Sequence, residues 1–277
     1  IIIIIIIIII IIIIIRLRVV YIRNIWCKYP YVILLILYYY AQGMRGDPYM
    51  DIYYDSHVLK AFSVKHFVDY NLECWPNCDQ YHTRLSFNGI VSDQDLYETY
   101  LRACNYLVNS NVVDAIMTAF PLLMVYLLQQ AKISKDILRD EYAYQNIILT
   151  DYDAIEAIYS YHNYTNNINA AEYAFNATID IDTPLNALNN TSLSSYEIAA
   201  PILLDQGKLT RNRLLQSFYR NNKIKFQLGL FDLPYLCNYN NIPLNIIQSN
   251  KHLNIALNAA EQSITLLKNY QIKIKKI

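Results

Sequence analysis

A chain of 277 residues is long enough for one large α/β domain or two smaller ones, since single domains of this class reach about 250 residues. Its 23 Lys+Arg balance 23 Asp+Glu, so it lacks the basic surplus that neutralises nucleic-acid phosphates, and no nucleic-acid partner is expected. Hydrophobic residues at 55% exclude a disordered chain, and five cysteines are too few for a disulfide-built scaffold.

The chain opens on a low-complexity segment, 1–30, whose first fifteen residues are all isoleucine. As a helix that run would reach about 22 Å, short of a hydrocarbon core of about 30 Å, and no charged leader or cleavage site marks it as a signal peptide. A second apolar stretch, Tyr31 to Ala41, is shorter still, so membrane attachment is not expected. Ala61–Val64 predicts a short buried strand running into Lys65 and His66. A helix follows from Asp93 with Ser92 as its N-cap, then a strand over Asp114–Phe120 and a helix from Ser134, read as a capping serine. Asn146–Leu149 and Thr178–Asp182 predict further strands. Helical patterns then cover Ser194–Gln206 before Gly207, Thr210–Leu228 before Gly229, and Lys251–Lys268.

Apolar strands alternating with amphipathic helices imply parallel βα units. Several of the strands run out into polar or ionisable residues, which is the pattern of a (β/α)8 barrel whose chemistry gathers at the C-terminal strand ends. The expected fold is therefore α/β, a TIM-type barrel. Only 5 glycines stand where average usage predicts about 19, so the loops of this barrel are unusual.

Asp151 directly follows the apolar run Ile147–Leu149. Two readings stay open on spacing alone: a helix N-cap, or a rigidly placed carboxylate nucleophile. Lys65 and His66 read either as an ordinary strand end or as a cation and imidazole suited to sugar hydroxyls. Arg84 alone is uninformative. Cys74 and Cys78 allow a local disulfide, and they lack the second ligand pair a zinc site needs, so no metal or other cofactor is expected. Four Asn-X-Ser/Thr patterns, at Asn163, Asn176, Asn189 and Asn190, give modest support for secretion.

Longer strings then stop being anonymous. Ser63-Val-Lys-His-Phe-Val-Asp-Tyr-Asn-Leu-Glu73 resembles a loop motif of glycoside hydrolase family 3, and Arg84 with Phe87–Leu101 is similar to the segment that follows it. Ile137–Tyr142 and Ile148–Ile155 resemble the helix and strand around that family's nucleophile. His162–Thr165, Asn176–Asp182, Phe226–Asp232 and Ser263–Asn269 continue in the family's order, nearest to its fungal β-xylosidases. The resemblance implies a partial (β/α)8 barrel, its leading strands missing or replaced, over 31–269, and at 270–277 the start of a linker to a C-terminal α/β sandwich domain.

It also implies roles. Asp151 matches the catalytic nucleophile, Lys65 and His66 the substrate-binding pair, and Arg84 a sugar contact. The substrate would be a β-xyloside or related oligosaccharide and the location extracellular, with no cofactor and no specific protein partner. A retaining mechanism needs a second carboxyl about 5–5.5 Å from the nucleophile. In the family this is a Glu on a following α/β sandwich domain, and no residue here matches it. The chain also departs from the family before Tyr31, where leading barrel strands and a sugar-binding Asp are expected, and at Phe120–Tyr126, where a glycine turn is expected. The reading that follows is a truncated retaining glycosidase of the β-xylosidase type. The alternatives are an inactive remnant that binds sugar weakly, or a protein attached to a membrane by the isoleucine run.

Overall fold

The computed structural model describes residues 30–45, 61–68, 70, 91–119, 133–160, 165–184 and 193–264. The isoleucine run, Arg84, Cys74, Cys78, Phe120–Tyr126 and three of the four Asn-X-Ser/Thr patterns lie outside them. The described residues fall into two compact units, one ending at Cys237 and one from Asn238 onward.

The first unit is α/β. Helix α1 (Pro30–Arg45) precedes strand β1 (Ser63–Phe67). Ser92 caps the next helix as expected, its hydroxyl accepting the Asp95 N–H at 3.1 Å. That helix begins at Asp93–Asp95, loosens into a π-helical turn over Leu96–Tyr100, where the Leu101 N–H reaches back five residues to the Leu96 carbonyl, and ends as α2 (Arg102–Asn109). Strand β2 (Ala115–Thr118), a π-helical segment (Ile133–Glu141) and strand β3 (Ile147–Leu149) follow. After them come α3 (Ala154–Ser160), α4 (Asn167–Asn176), α5 (Ser195–Asp205) and α6 (Arg211–Gln227). In the second unit, α7 (Asn250–Ser263) is the main element.

The strands pair in parallel in the order β1-β2-β3. Parallel strands are covered on both faces, which is why β2 and β3 read as near-continuous apolar runs. Ile116 and Ile148 are fully buried, and they share a core with Leu101, Leu107 and Leu138 from the flanking helical segments. Ala170, Ala171, Ala199 and Leu203 build a second apolar layer where α4 meets α3 and α5, small residues letting the helices approach.

Local chemistry sets most boundaries. Ser194 and Glu197 form a reciprocal capping box at the start of α5, and Thr210 caps α6. Gly207 and Gly229 end these helices at φ values of 70° and 68°, a left-handed conformation that costs glycine nothing.

Four expectations change. Ser134 is not a cap: it lies inside the π-helical segment, 3% exposed, because its face packs on the core. Helix α7 stops at Ser263 rather than Lys268, with Ile264 already extended. The strand predicted over Thr178–Asp182 is a single parallel bridge between Ile181 and Leu149, held by backbone bonds to Ile148 and Thr150. Strand β1 begins at Ser63 rather than Ala61 and runs one residue past Lys65 and His66, to Phe67. Among the described residues no helix is long and apolar enough to cross a membrane.

Candidate active site

The sheet brings His66 and Asp151 together. Strand β1 is in register with β2 at Val64–Ile116 and again at Phe67–Thr118, so Lys65 and His66 together oppose the single residue Met117. One extra residue in a strand makes a bulge, and bulges re-aim side chains. The Lys65–His66 and Phe67–Val68 peptide bonds are both cis. His66 lies with its Nε2 3.3 Å from the Asp151 Oδ2, and its ring stacks on Tyr70 at 4.6 Å between centroids. Lys65 precedes it with its side chain exposed.

Asp151 is two residues past the end of β3. Its Oδ1 accepts the Tyr152 N–H at 2.8 Å and its Oδ2 faces the imidazole, so the side chain does not cap α3. Only 13% of that side chain is exposed. The Asp151 backbone is fixed from the neighbouring segment, where Thr183 bonds to the carbonyls of Thr150 and Asp151 at 2.6 and 3.1 Å.

A second carboxylate on the neighbouring segment has the opposite surroundings. Asp180 is wholly buried and receives Arg139 at 2.7 Å, Arg220 at 2.9 Å, Arg213 at 3.5 Å and the Ser217 hydroxyl at 2.7 Å. It also accepts the Ile148 N–H at 3.1 Å, tying the cluster to β3. Arg139 Nη1 donates to the carbonyls of Tyr144 and Asn146, which lead into that strand, and its Nε and Nη2 also reach Thr178. Burial pulls the Arg139 guanidinium down to about 10 against the opposing pull of Asp180. Two residues on, burial pushes the Asp182 carboxyl up to about 6, although it accepts the Ser195 N–H at 2.9 Å.

Sequence reasoning did not single out Asp180, its arginines or Thr183. A usable signal existed: Asp180 and Asp182 alternate within a strand-like run, so both lie on one face and require partners there. The described cysteines, Cys104 and Cys237, are both buried, and burial pushes the Cys104 thiol up to about 12. Arg84 lies outside the described residues.

Comparison with known proteins follows the same lines. The family model described as "Glycosyl hydrolase family 3 N terminal domain" matches residues 23–223. "Probable beta-D-xylosidase 6" of Arabidopsis thaliana is 28% identical over 224 residues, covering 78% of this chain and 26% of that protein. "Probable exo-1,4-beta-xylosidase xlnD" of Neosartorya fischeri is 32% identical over 212 residues, covering 75% and 26%. Among solved structures, a β-glucosidase from Listeria innocua superposes with a TM-score of 0.66 at 23% identity, over 84% of this chain and 30% of that one. A family 3 exo-β-xylosidase bound to a xylobiose aziridine activity-based probe gives 0.66 at 22% identity, over 84% and 28%. The chain thus spans less than a third of the length of these relatives. With the model matched across most of the chain and the same fold in the solved structures, this protein belongs to glycosyl hydrolase family 3, through its N-terminal domain.

Proposed function

We propose that this chain is the nucleophile-bearing part of a retaining β-glycosidase acting on β-xylosides, built as a partial (β/α)8 barrel. The observation that carries the reading is the 3.3 Å approach of His66, near the end of β1, to Asp151, just past the end of β3, with β2 lying between the two strands. The names of the xylosidase relatives support the sugar, and the resemblance around Lys65, His66, Arg84 and Asp151 supports the roles.

Asp151 attacks the anomeric carbon of the bound sugar. Its carboxylate oxygen forms a glycosyl ester as the bond to the leaving oxygen breaks, and water later cleaves the ester. Lys65, His66 and Arg84 hydrogen-bond the sugar hydroxyls, and His66 also holds the carboxylate in line. The proton for a poor leaving group comes from an acid that none of the described residues has been assigned. General acid assistance contributes typically 10²–10⁴-fold, whereas an activated aryl glycoside, whose leaving group needs no proton, reports on Asp151 independently of it. Secretion fits this role, and Asn176 of the Asn-Ala-Thr178 acceptor pattern is exposed at the end of α4.

The test is a dinitrophenyl 2-deoxy-2-fluoro-β-xyloside, whose leaving group departs with its electron pair and needs no proton. Mass spectrometry should find one fluoroxylosyl ester, on Asp151. A label on another residue, or none, overturns the reading.

A further inference from the structure

The turn that carries Asp151 is bracketed by one residue of the neighbouring segment. The Thr183 N–H donates to the Thr150 Oγ1 at 3.0 Å, and the two hydroxyl oxygens are 2.8 Å apart. The Thr183 Oγ1 lies 2.6 Å from the Thr150 carbonyl and 3.1 Å from the Asp151 carbonyl. Its own carbonyl accepts the Asp153 N–H at 3.1 Å, just where Asp153 takes a φ of 55°. Each hydroxyl has one proton, which fixes the directions. The Thr150 hydroxyl, already accepting an N–H, donates to Thr183, and the Thr183 hydroxyl donates to the backbone carbonyls.

We infer that Thr183 is a positioning residue for the Asp151 carboxylate, an inference that rests on the proposed role of Asp151. Among the described residues, the segment 150–153 has one backbone bond to its neighbour besides those of Thr183, from the Thr150 N–H to the Ile181 carbonyl at 3.0 Å, and its backbone direction decides where the Asp151 side chain points. Thr183 reaches its beginning, middle and end from one side. A reacting pair misplaced by about 1 Å loses up to about 100-fold in rate, so a hydroxyl that fixes this backbone acts on the chemical step. Its hydroxyl proton is spent on the backbone carbonyls, outside the sugar-binding roles proposed for Lys65, His66 and Arg84. Its loss should therefore leave binding unchanged.

The experiment measures Asp151 labelling by the dinitrophenyl 2-fluoro-xyloside as a function of probe concentration, in the wild-type chain, Thr183→Val and Thr183→Ser. Valine keeps the shape and deletes the hydroxyl; serine keeps the hydroxyl. The expected result is a saturating labelling rate at least about tenfold lower for Thr183→Val, with an unchanged half-saturating concentration, and a rate restored by Thr183→Ser. A valine chain that labels Asp151 at the wild-type rate overturns the inference and leaves the proposed function standing. A valine chain that loses its cooperative melt assigns the hydroxyl to stability alone and also overturns it. A wild-type chain that takes no label on Asp151 overturns the proposed function, and this inference with it.

Discussion

Asp151 and Asp180 sit on adjacent segments of one sheet, yet their surroundings are opposite. Asp180 faces the helical layer, has no exposure, and meets three guanidinium groups, a hydroxyl and a backbone N–H. Asp151 stands past the end of its strand, has a trace of exposure, and among the described residues meets one imidazole and one backbone N–H. A buried carboxylate persists only when its lone pairs are filled, and once filled it has nothing left to offer a substrate. A carboxylate with open acceptor capacity at the mouth of a sheet can react. Partner count and exposure, rather than residue type, separate the structural acid from the candidate nucleophile.

The largest effect expected from breaking this contrast is at Asp151. Asp151→Asn should lower the turnover of an activated aryl β-xyloside by at least about 10³-fold, since an amide cannot form the glycosyl ester. Its thermal melt should stay within a few degrees of wild type, because few bonds are lost. A variant that keeps its rate would place the nucleophile elsewhere.

Asp180→Asn should show the reverse pattern. It strands three buried cations, and breaking a buried pair costs about 3–5 kcal/mol, or about 6–20 °C in melting temperature. Circular dichroism melts measure this directly. A loss smaller than about 1 kcal/mol would mean that the arginines find other partners and that Asp180 is not the structural acid.

A smaller effect is expected at His66. Deleting a hydrogen-bond partner of a charged group costs about 1.5–3 kcal/mol, so His66→Ala should lower kcat/KM for the activated xyloside about 10- to 100-fold. An unchanged kcat/KM would remove His66 from the site.

The smallest effect is a pH dependence at Asp182. Burial raises its folded pKa to about 6 from an ordinary value of 3.8, so the native state holds a proton that the unfolded chain has already released. Stability from this group is full below pH 3.8, falls as pH rises toward 6, and is level above that. Asp182→Asn should remove that slope while keeping an acceptor for the Ser195 N–H. Melts of the two chains between pH 4 and pH 7 should therefore diverge, the variant gaining on the wild type as pH rises. Parallel curves would assign Asp182 an ordinary carboxyl.

Much of this was legible in the residues themselves. Ser92, Ser194 and Thr210 before helical patterns, and Gly207 and Gly229 after them, mark the observed ends, because capping is decided by a side chain within three residues of the bond it makes. The apolar runs at Ala115–Thr118 and Ile147–Leu149 are strands for an equally local reason: nothing in them tolerates water. The position of Asp151 past such a run was enough to single it out, and the residues around Lys65, His66 and Asp151 carried the family. Arg84 and the glycine-poor stretch from Phe120 lie outside the described residues.

Other features depend on segments far apart in the chain. Whether Ser134 caps or packs turns on what lies across the core from it. The bulge that sets Lys65 and His66 against Met117 exists only once β1 and β2 are paired. The three arginines on Asp180 come from Arg139, Arg213 and Arg220, up to 41 residues away, and no spacing rule joins them. Thr183 looked like an ordinary residue after a strand until its hydroxyl met the backbone of Thr150 and Asp151. Local bonds are written in neighbouring residues, while the partner of a buried charge and the aim of a reactive carboxylate are fixed by whatever the folded sheet places beside them.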